Sequence, residues 1–183
     1  QREAQGAVMK PVVILQNEPG QTAGFLRDVL ALEDVRYQLI DVHVGEPVPS
    51  VARDYSGVVV LGSNASINDR LPWIHSEHAL LSYALRADIP VLGHCFGSQM
   101  LARVMGARVS PNPMPQIGWG TVYTTQGWLR GSDEARSFDA FHWHYESFSI
   151  PEGAQRILLG GHCLNKGFRM GRHIGLQCHL EVT

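Results

Sequence analysis

Residues 91–100, VLGHCFGSQM, constrain this chain more than any other stretch. Pro90, Val91 and Leu92 read as the end of a strand, and residues 98–105, closed by Gly106, read as a helix. Cys95 falls at the junction with Gly93 and Gly97 on either side, which lets the chain turn sharply and the helix pack close to the strand. A strand that turns into a helix at a cysteine has the form of a nucleophile elbow, and such an elbow needs a parallel α/β layer to stand on. Taken alone, the stretch leaves two readings open: a nucleophile at the tip of the elbow, or a small buried hydrophobe.

The residues before it supply the layer. Residues 11–16, 37–42, 57–62 and 89–93 are apolar runs of strand length. Between them, a helix begins near Thr22 as N-cap, with Phe25, Leu26, Val29, Leu30 and Leu32 as its apolar face. A second helix takes Pro72 at its first position and repeats Ile74, Leu81 and Leu85 on one face. Strand and helix alternating at short intervals predict a parallel sheet covered on both faces. Beyond residue 107 the texture changes to short alternating runs at 119–124, 140–148, 155–160, 167–170 and 173–179. The expected fold is therefore α/β: a three-layer α/β/α, flavodoxin-like domain whose central sheet is mainly parallel, with antiparallel additions after about residue 115.

A length of 183 residues suits one domain. Residues 1–8 are polar and patternless, so residues 9–183 are read as that domain, with Met9 as a natural start; the halt at HLEVT just after a strand points to a continuation past Thr183. The formal charge is −2 without any basic block, which argues against nucleic acid or an anionic membrane as partner. No stretch reaches the ~18 apolar residues of a membrane span. Cys95, Cys163 and Cys178 are odd in number and lack framework spacing, which fits a reducing cytoplasm. No phosphate-binding glycine loop occurs, and no cofactor is expected. Cys163, Cys178, His179 and the pair His142 and His144 could be grouped as zinc ligands, but they lack C-x-x-C or H-E-x-x-H spacing, so no metal is expected. His94 is assigned to packing or to support of the site.

A cysteine nucleophile works as the thiolate, and the N-terminus of the following helix favours that charge. The Phe96 amide, next after the nucleophile, is placed to donate to an oxyanion. The nucleophile also needs a base, and the base an orienting group. LQCHLEV at the end of the chain offers His179 and, two residues on, Glu181, leaving a strand of the same sheet.

With these residues in place, the chain resembles the class I, triad-type glutamine amidotransferases. Their nucleophile motif, roughly G-x-C-x-G-x-Q-x-L-A, is met by Gly93, Cys95, Gly97, Gln99, Leu101 and Ala102, and their closing Q-x-H-x-E by Gln177, His179 and Glu181. The IGW at 117–119 and SINDRLPW at 66–73 are similar to stretches of stand-alone members near the amidotransferase domain of GMP synthase. The resemblance implies that Cys95 attacks the side-chain amide of glutamine, His179 protonates the departing ammonia and later activates water, and Glu181 orients His179. It implies an oxyanion hole from the amides of Phe96 and Ser63, and a substrate pocket built by Gly62, Gln99, Trp143, His144 and Tyr145. The implied partner is an ammonia-accepting synthase on a separate chain. Two departures stand out. Gly62-Ser63-Asn64 replaces the family's Gly-Gly-Pro-like loop, and Tyr145-Glu146 follows His144 where the family has a small-residue turn. The second admits a different γ-glutamyl compound as substrate, so a γ-glutamyl hydrolase or peptidase with the same triad, and a non-catalytic module of the same fold, stand as alternatives.

Overall fold

The computed structural model describes residues 9–126, Trp128 and residues 136–182. The polar stretch 1–8 and the end of the chain at Thr183 lie outside the described residues.

The apolar runs assemble first into a parallel half. Strands β1 (Val12–Gln16), β2 (Tyr37–Asp41), β3 (Gly57–Val60) and β4 (Val91–His94) pair in the order β2-β1-β3-β4. The last strand of the chain, β9 (His173–Leu176), adds parallel to β4. This is the flavodoxin order 2-1-3-4-5, with β9 in the fifth place. Strands β1 and β3, buried on both faces, carry continuous apolar runs instead of alternating ones. Helices α2 (Pro72–Arg86) and α3 (Phe96–Val104) cover the face bearing Val13, Leu15, Val58 and Val60. Helix α1 (Phe25–Leu32) covers the face bearing Ile14, Val59 and Leu61 through Leu26 and Leu30. Phe25, Val29 and Leu32, expected on the buried side of α1, stay exposed. The helix also starts later than its sequence suggests: Thr22 accepts a hydrogen bond from the Gly24 amide at 3.3 Å, and Gly24 is the N-cap.

The second half is antiparallel. Beyond β9 come β8 (Asn165–Met170), β7 (Gln155–Gly160), β5 (Val109–Thr124) and β6 (Ser137–Phe148), in that order across one sheet that has nine strands among the described residues. Four parallel pairings are thus matched by four antiparallel ones, and the antiparallel part begins at residue 109, not near 115. Pro111, Pro113 and Pro115 hide the start of β5 in the sequence, since proline cannot donate to a ladder. They are accommodated because this end of β5 pairs only with β6, and the register shifts between Pro111 and Gln116.

Candidate active site

The loops that leave β3, β4 and β9 end side by side at the carboxyl edge of the parallel strands, where open α/β sheets keep their sites. The β4 loop is a single residue. Cys95 stands between strand and helix with φ 49° and ψ −108°, a conformation costing about 1–3 kcal/mol for a residue with a side chain. Its surroundings enforce the turn. The Cys95 amide donates to the Leu176 carbonyl at 2.8 Å, and its own carbonyl accepts the Ser98 hydroxyl at 2.6 Å and the Ser98 amide at 3.0 Å. The flanking glycines permit close packing: a Cβ on Gly97 would lie 2.0 Å from the Val60 carbonyl, and one on Gly93 would lie 2.4 Å from the Gly97 backbone. Helix α3 opens at Phe96, whose N–H, in the first turn, has no acceptor within the helix.

His179 is fixed by the strand across from it. Its amide donates to the Phe141 carbonyl at 2.8 Å, in an isolated antiparallel bridge. Its Nδ1 lies 2.6 Å from Glu181 Oε1, which leaves Nε2 to meet Cys95. Burial disfavours charge on this ring, but hydrogen bonds with Cys95 and Glu181 outweigh it and push the imidazole up to about 10. Burial likewise raises Glu181, yet the hydrogen bond with His179 and the closeness of the His94 ring bring it down to about 2. His94 Nδ1 lies 3.3 Å from Glu181 Oε2, at ion-pair distance but poorly aligned for a directed hydrogen bond. The Glu181 backbone is held too, its carbonyl accepting the Phe25 amide at the start of α1 at 3.2 Å.

Beneath the sulfur runs a buried polar network that the sequence motifs did not reveal. Gln177 Nε2 donates to Cys95 Sγ at 3.7 Å, and its Oε1 accepts Gln99 Nε2 at 3.2 Å. Gln99 Nε2 also reaches the Glu146 carbonyl at 3.1 Å, so this amide nitrogen has two acceptors within the protein. His144 Nδ1 lies 2.9 Å from the same carbonyl, and its Nε2 lies 3.1 Å from the ammonium of Lys166. Lys166 is fully buried; it donates to Gln116 and lies 3.4 Å from His142 Nδ1. Burial first, and then the Lys166 charge, pull His142 down to about 4 and His144 down to about 3, so both are neutral.

Two cavities flank the Cys95–His179 pair. One, of about 430 Å³, is lined by Cys95, Ser63, Ser66, Gln99, His144, Tyr145 and Glu146 among others. Glu146 accepts hydrogen bonds from the Ser66 hydroxyl at 2.6 Å and Asn68 Nδ2 at 3.2 Å, while Arg103 donates to Asn68 Oδ1 at 2.6 Å. The other, of about 610 Å³, lies against His179 and Glu181. Asn64 and Trp143 line both. On the loop after β3, Glu18 accepts the Ser63 hydroxyl and the Asn64 amide, each at 3.1 Å, and no protein acceptor among the described residues takes the Ser63 amide. Gly62 lines neither cavity. A Cβ there would lie 1.8 Å from Gln21 Oε1 and 3.3 Å from His179 Cε1, so its role is to let these two side chains meet.

Cys163 and Cys178 are free and buried, and Cys178 packs in the apolar core with Val122, Ala140 and Leu176. Burial pushes the Cys178 thiol up to about 12, the state of an inert core residue. His75 and His78 are exposed on α2.

The comparison with known proteins follows the same lines. The glutamine amidotransferase-like protein YfeJ of Salmonella typhimurium is 28% identical over 151 residues, which cover 78% of this chain and 63% of that protein. A GMP synthase [glutamine-hydrolyzing] of Aeropyrum pernix is 29% identical over 76% of this chain, but only 26% of its own length is matched. This chain thus spans less than two thirds of these relatives. Among solved structures, a glutamine amido transferase from Methylobacillus flagellatus superposes with a TM-score of 0.89 at 37% identity, covering 96% of this chain and 72% of that one. One from Thermotoga maritima reaches 0.87 at 30% identity, over 96% of this chain and 78% of that one. The family model described as glutamine amidotransferase class-I matches residues 27–183, and the chain belongs to the class I glutamine amidotransferase family.

Proposed function

We propose that this chain is a cysteine amidohydrolase acting on the γ-carboxamide of glutamine or of a closely related γ-glutamyl compound, with Cys95, His179 and Glu181 as its catalytic triad. The observation that carries the reading is the His179 ring beside Cys95 with its Nδ1 2.6 Å from Glu181 Oε1, at the edge of a cavity that Cys95 lines. With Nδ1 turned to Glu181, the His179 ring offers Nε2 to the reaction. The Cys95 thiolate attacks the γ-carbonyl, and the Phe96 and Ser63 amides receive the oxyanion. His179 then protonates the leaving nitrogen, the C–N bond breaks and a γ-glutamyl thioester remains. Water, losing its proton to His179, attacks the thioester; the C–S bond breaks, releasing glutamate and restoring the thiolate.

The 430 Å³ cavity suits the glutamyl part. Its Glu146 carboxylate, braced by Ser66 and Asn68, supplies a counter-charge for the substrate α-ammonium, and Tyr145 and Trp143 wall the alkyl chain. When the leaving amine is ammonia, the partner implied is a synthase on another chain, as the names of the GMP synthase relatives suggest. The free state of Cys95, Cys163 and Cys178 supports a reducing compartment such as the cytoplasm. Among the described residues no helix is long and apolar enough to cross a membrane.

The test is incubation with glutamine, with ammonia and glutamate both assayed, and labelling by a glutamine-like electrophile followed by peptide mapping. Equimolar products, label on Cys95 and a loss of at least about 10³-fold in Cys95→Ala or His179→Ala are expected. Label confined to Cys163 or Cys178 in the folded protein overturns the assignment.

A further inference from the structure

The triad chemistry gives Lys166 no step, yet the fold buries this lysine completely. Its ammonium has three N–H donors, and three acceptors meet them: Gln116 Oε1, His142 Nδ1 at 3.4 Å and His144 Nε2 at 3.1 Å. An ammonium only donates, so each ring nitrogen facing it must be an acceptor, and the proton of each neutral ring lies on the other nitrogen. His142 therefore carries its proton on Nε2, 3.3 Å from the Gly120 carbonyl. His144 carries its proton on Nδ1, 2.9 Å from the Glu146 carbonyl. One cation thus sets two neighbouring histidines in opposite tautomers. Asn112 also stands 3.1 Å from His144 Nδ1, and its amide can turn its oxygen to that N–H.

From Glu146 the order continues to the sulfur. A carbonyl only accepts, so the Glu146 carbonyl, 3.1 Å from Gln99 Nε2, fixes which end of the Gln99 amide faces it. The same nitrogen donates to Gln177 Oε1 at 3.2 Å, which fixes the Gln177 amide in turn and leaves its Nε2 facing Cys95 Sγ at 3.7 Å. That orientation matters to the sulfur. As a thiol, Cys95 donates to the Trp143 carbonyl at 3.6 Å, but a thiolate only accepts. With the Gln177 N–H toward it the thiolate gains a donor, whereas Gln177 Oε1 in that place would set a lone pair against the charge.

We infer that Lys166 is a positioning residue for the nucleophile: by holding His144 in its Nδ1–H tautomer it keeps the Glu146 carbonyl within reach of Gln99, and so keeps the N–H end of Gln177 on the Cys95 sulfur. The inference rests on the triad reading above and adds to it a residue that acts from below the site. Without the ammonium, His144 is free to carry its proton on Nε2. Its Nδ1 lone pair then opposes the Glu146 carbonyl across 2.9 Å, the carbonyl moves off, and the two glutamine amides lose the contact that orders them. Gln177 can then turn its oxygen to the sulfur, and the thiolate is disfavoured.

The experiment follows alkylation of Cys95 by iodoacetamide on the full chain, with peptide mapping to separate it from Cys163 and Cys178. The reagent is small and needs none of the contacts that hold a substrate. At pH 7 the rate in Lys166→Met should fall at least about tenfold, and at pH 9 most of it should return, because alkali forms the thiolate without help from the network. Lys166→Gln keeps an N–H donor for His144 Nε2 and should stay within about threefold of wild type, a rescue that a purely structural role does not produce. The kcat/KM for glutamine should follow the same order. A measurement on the wild type does not depend on how any variant folds: imidazole 15N–1H spectra should show His144 as the Nδ1–H tautomer and His142 as the Nε2–H tautomer. The Nε2–H tautomer at His144, alkylation of Lys166→Met at the wild-type rate, or a loss that persists at pH 9 overturns the role of Lys166 and leaves the triad standing. Equal impairment of Lys166→Gln and Lys166→Met does the same. Wild-type protein that neither hydrolyses glutamine nor takes label at Cys95 overturns both readings.

Discussion

Two groups of buried histidines lie within a few residues of the same sulfur, and they are held in opposite states. His179, with the Glu181 carboxylate on one side and Cys95 on the other, is pushed up to about 10. His142 and His144, on the adjoining strand, share a single ammonium and fall to about 4 and 3. Burial alone lowers a histidine pKa, because it disfavours the cation. The difference therefore comes from the sign of the neighbour. An anionic partner overcomes burial and makes His179 a ready proton donor, whereas the Lys166 ammonium adds to burial and keeps the other two as fixed neutral connectors. One region carries the proton; the other holds in place the carbonyl that receives Gln99, and through Gln99 and Gln177 the sulfur.

The sharpest way to break this contrast is to remove the shared ammonium. Lys166→Met keeps the length of the side chain but leaves Gln116 Oε1 and His144 Nε2 without their donor in a buried site. A loss of about 2–4 kcal/mol in unfolding free energy is expected from denaturant titration. In the same variant the imidazole resonances of His142 and His144 should titrate nearer the ordinary histidine range, while those of His179 stay where they were. Unchanged titration of His142 and His144 would mean that burial, not Lys166, sets their state.

The carboxylate side is tested by Glu181→Gln, which preserves shape and removes the charge. Turnover should fall about 10–100-fold. The pH dependence of stability shows the two regions from opposite ends. His179 is raised from 6.5 to about 10, so its contribution is whole below pH 6.5 and is lost as pH rises toward 10. Glu181, lowered from 4.5 to about 2, contributes above pH 4.5 and loses its contribution as pH falls toward 2. His142 and His144 are lowered, so the folded state resists their protonation; their contribution is whole above pH 6.5 and fades as pH falls toward 4 and 3. In Glu181→Gln the alkaline loss should be smaller and end at lower pH, measured as Tm against pH, with the part due to His142 and His144 unaltered. An unmoved alkaline limb would detach His179 from the carboxylate.

How much of this was legible in the sequence differs between the same two regions. The elbow could be read because its constraints are local: Cys95 needs glycine on both sides for reasons of backbone contact, and the strand before it and the helix after it have distinct periods. His179 and Glu181 could be paired because they stand two positions apart in the chain. The connector network could not. Lys166 is an ordinary solvent residue by type, and only the meeting of side chains from β8, β5 and β6 reveals that it is buried among three polar partners. Gln21 and Glu18 were invisible for a similar reason, since a turn of Pro19 and Gly20 reads as a connection and not as a cavity wall. The proline-bearing start of β5 was missed because strand propensity is judged as if both edges were paired, and there only one is.

A third buried titratable group isolates burial from charge, and its effect is the smallest of the set. Glu77 on α2 is fully buried near Asn17, at the end of β1, and has no charged partner among the described residues. Burial raises its carboxyl to about 8, the Asn17 amide opposes this only in part, and neither side chain makes a well-aligned hydrogen bond. The acid is therefore kept protonated in the fold while it ionises near 4.5 in the unfolded chain. Its contribution is whole below pH 4.5 and declines as pH rises from 4.5 through about 8, the reverse of Glu181. Glu77→Gln keeps the volume and cannot ionise, so the variant lacks this decline. Relative to the variant, the wild type should lose about 1–2 kcal/mol between pH 4.5 and 6, read from urea unfolding at the two pH values. Parallel curves for the two proteins across that interval would show that the Glu77 carboxyl ionises with little penalty. Desolvation would then be weaker in this core than the states of His142 and His144 require.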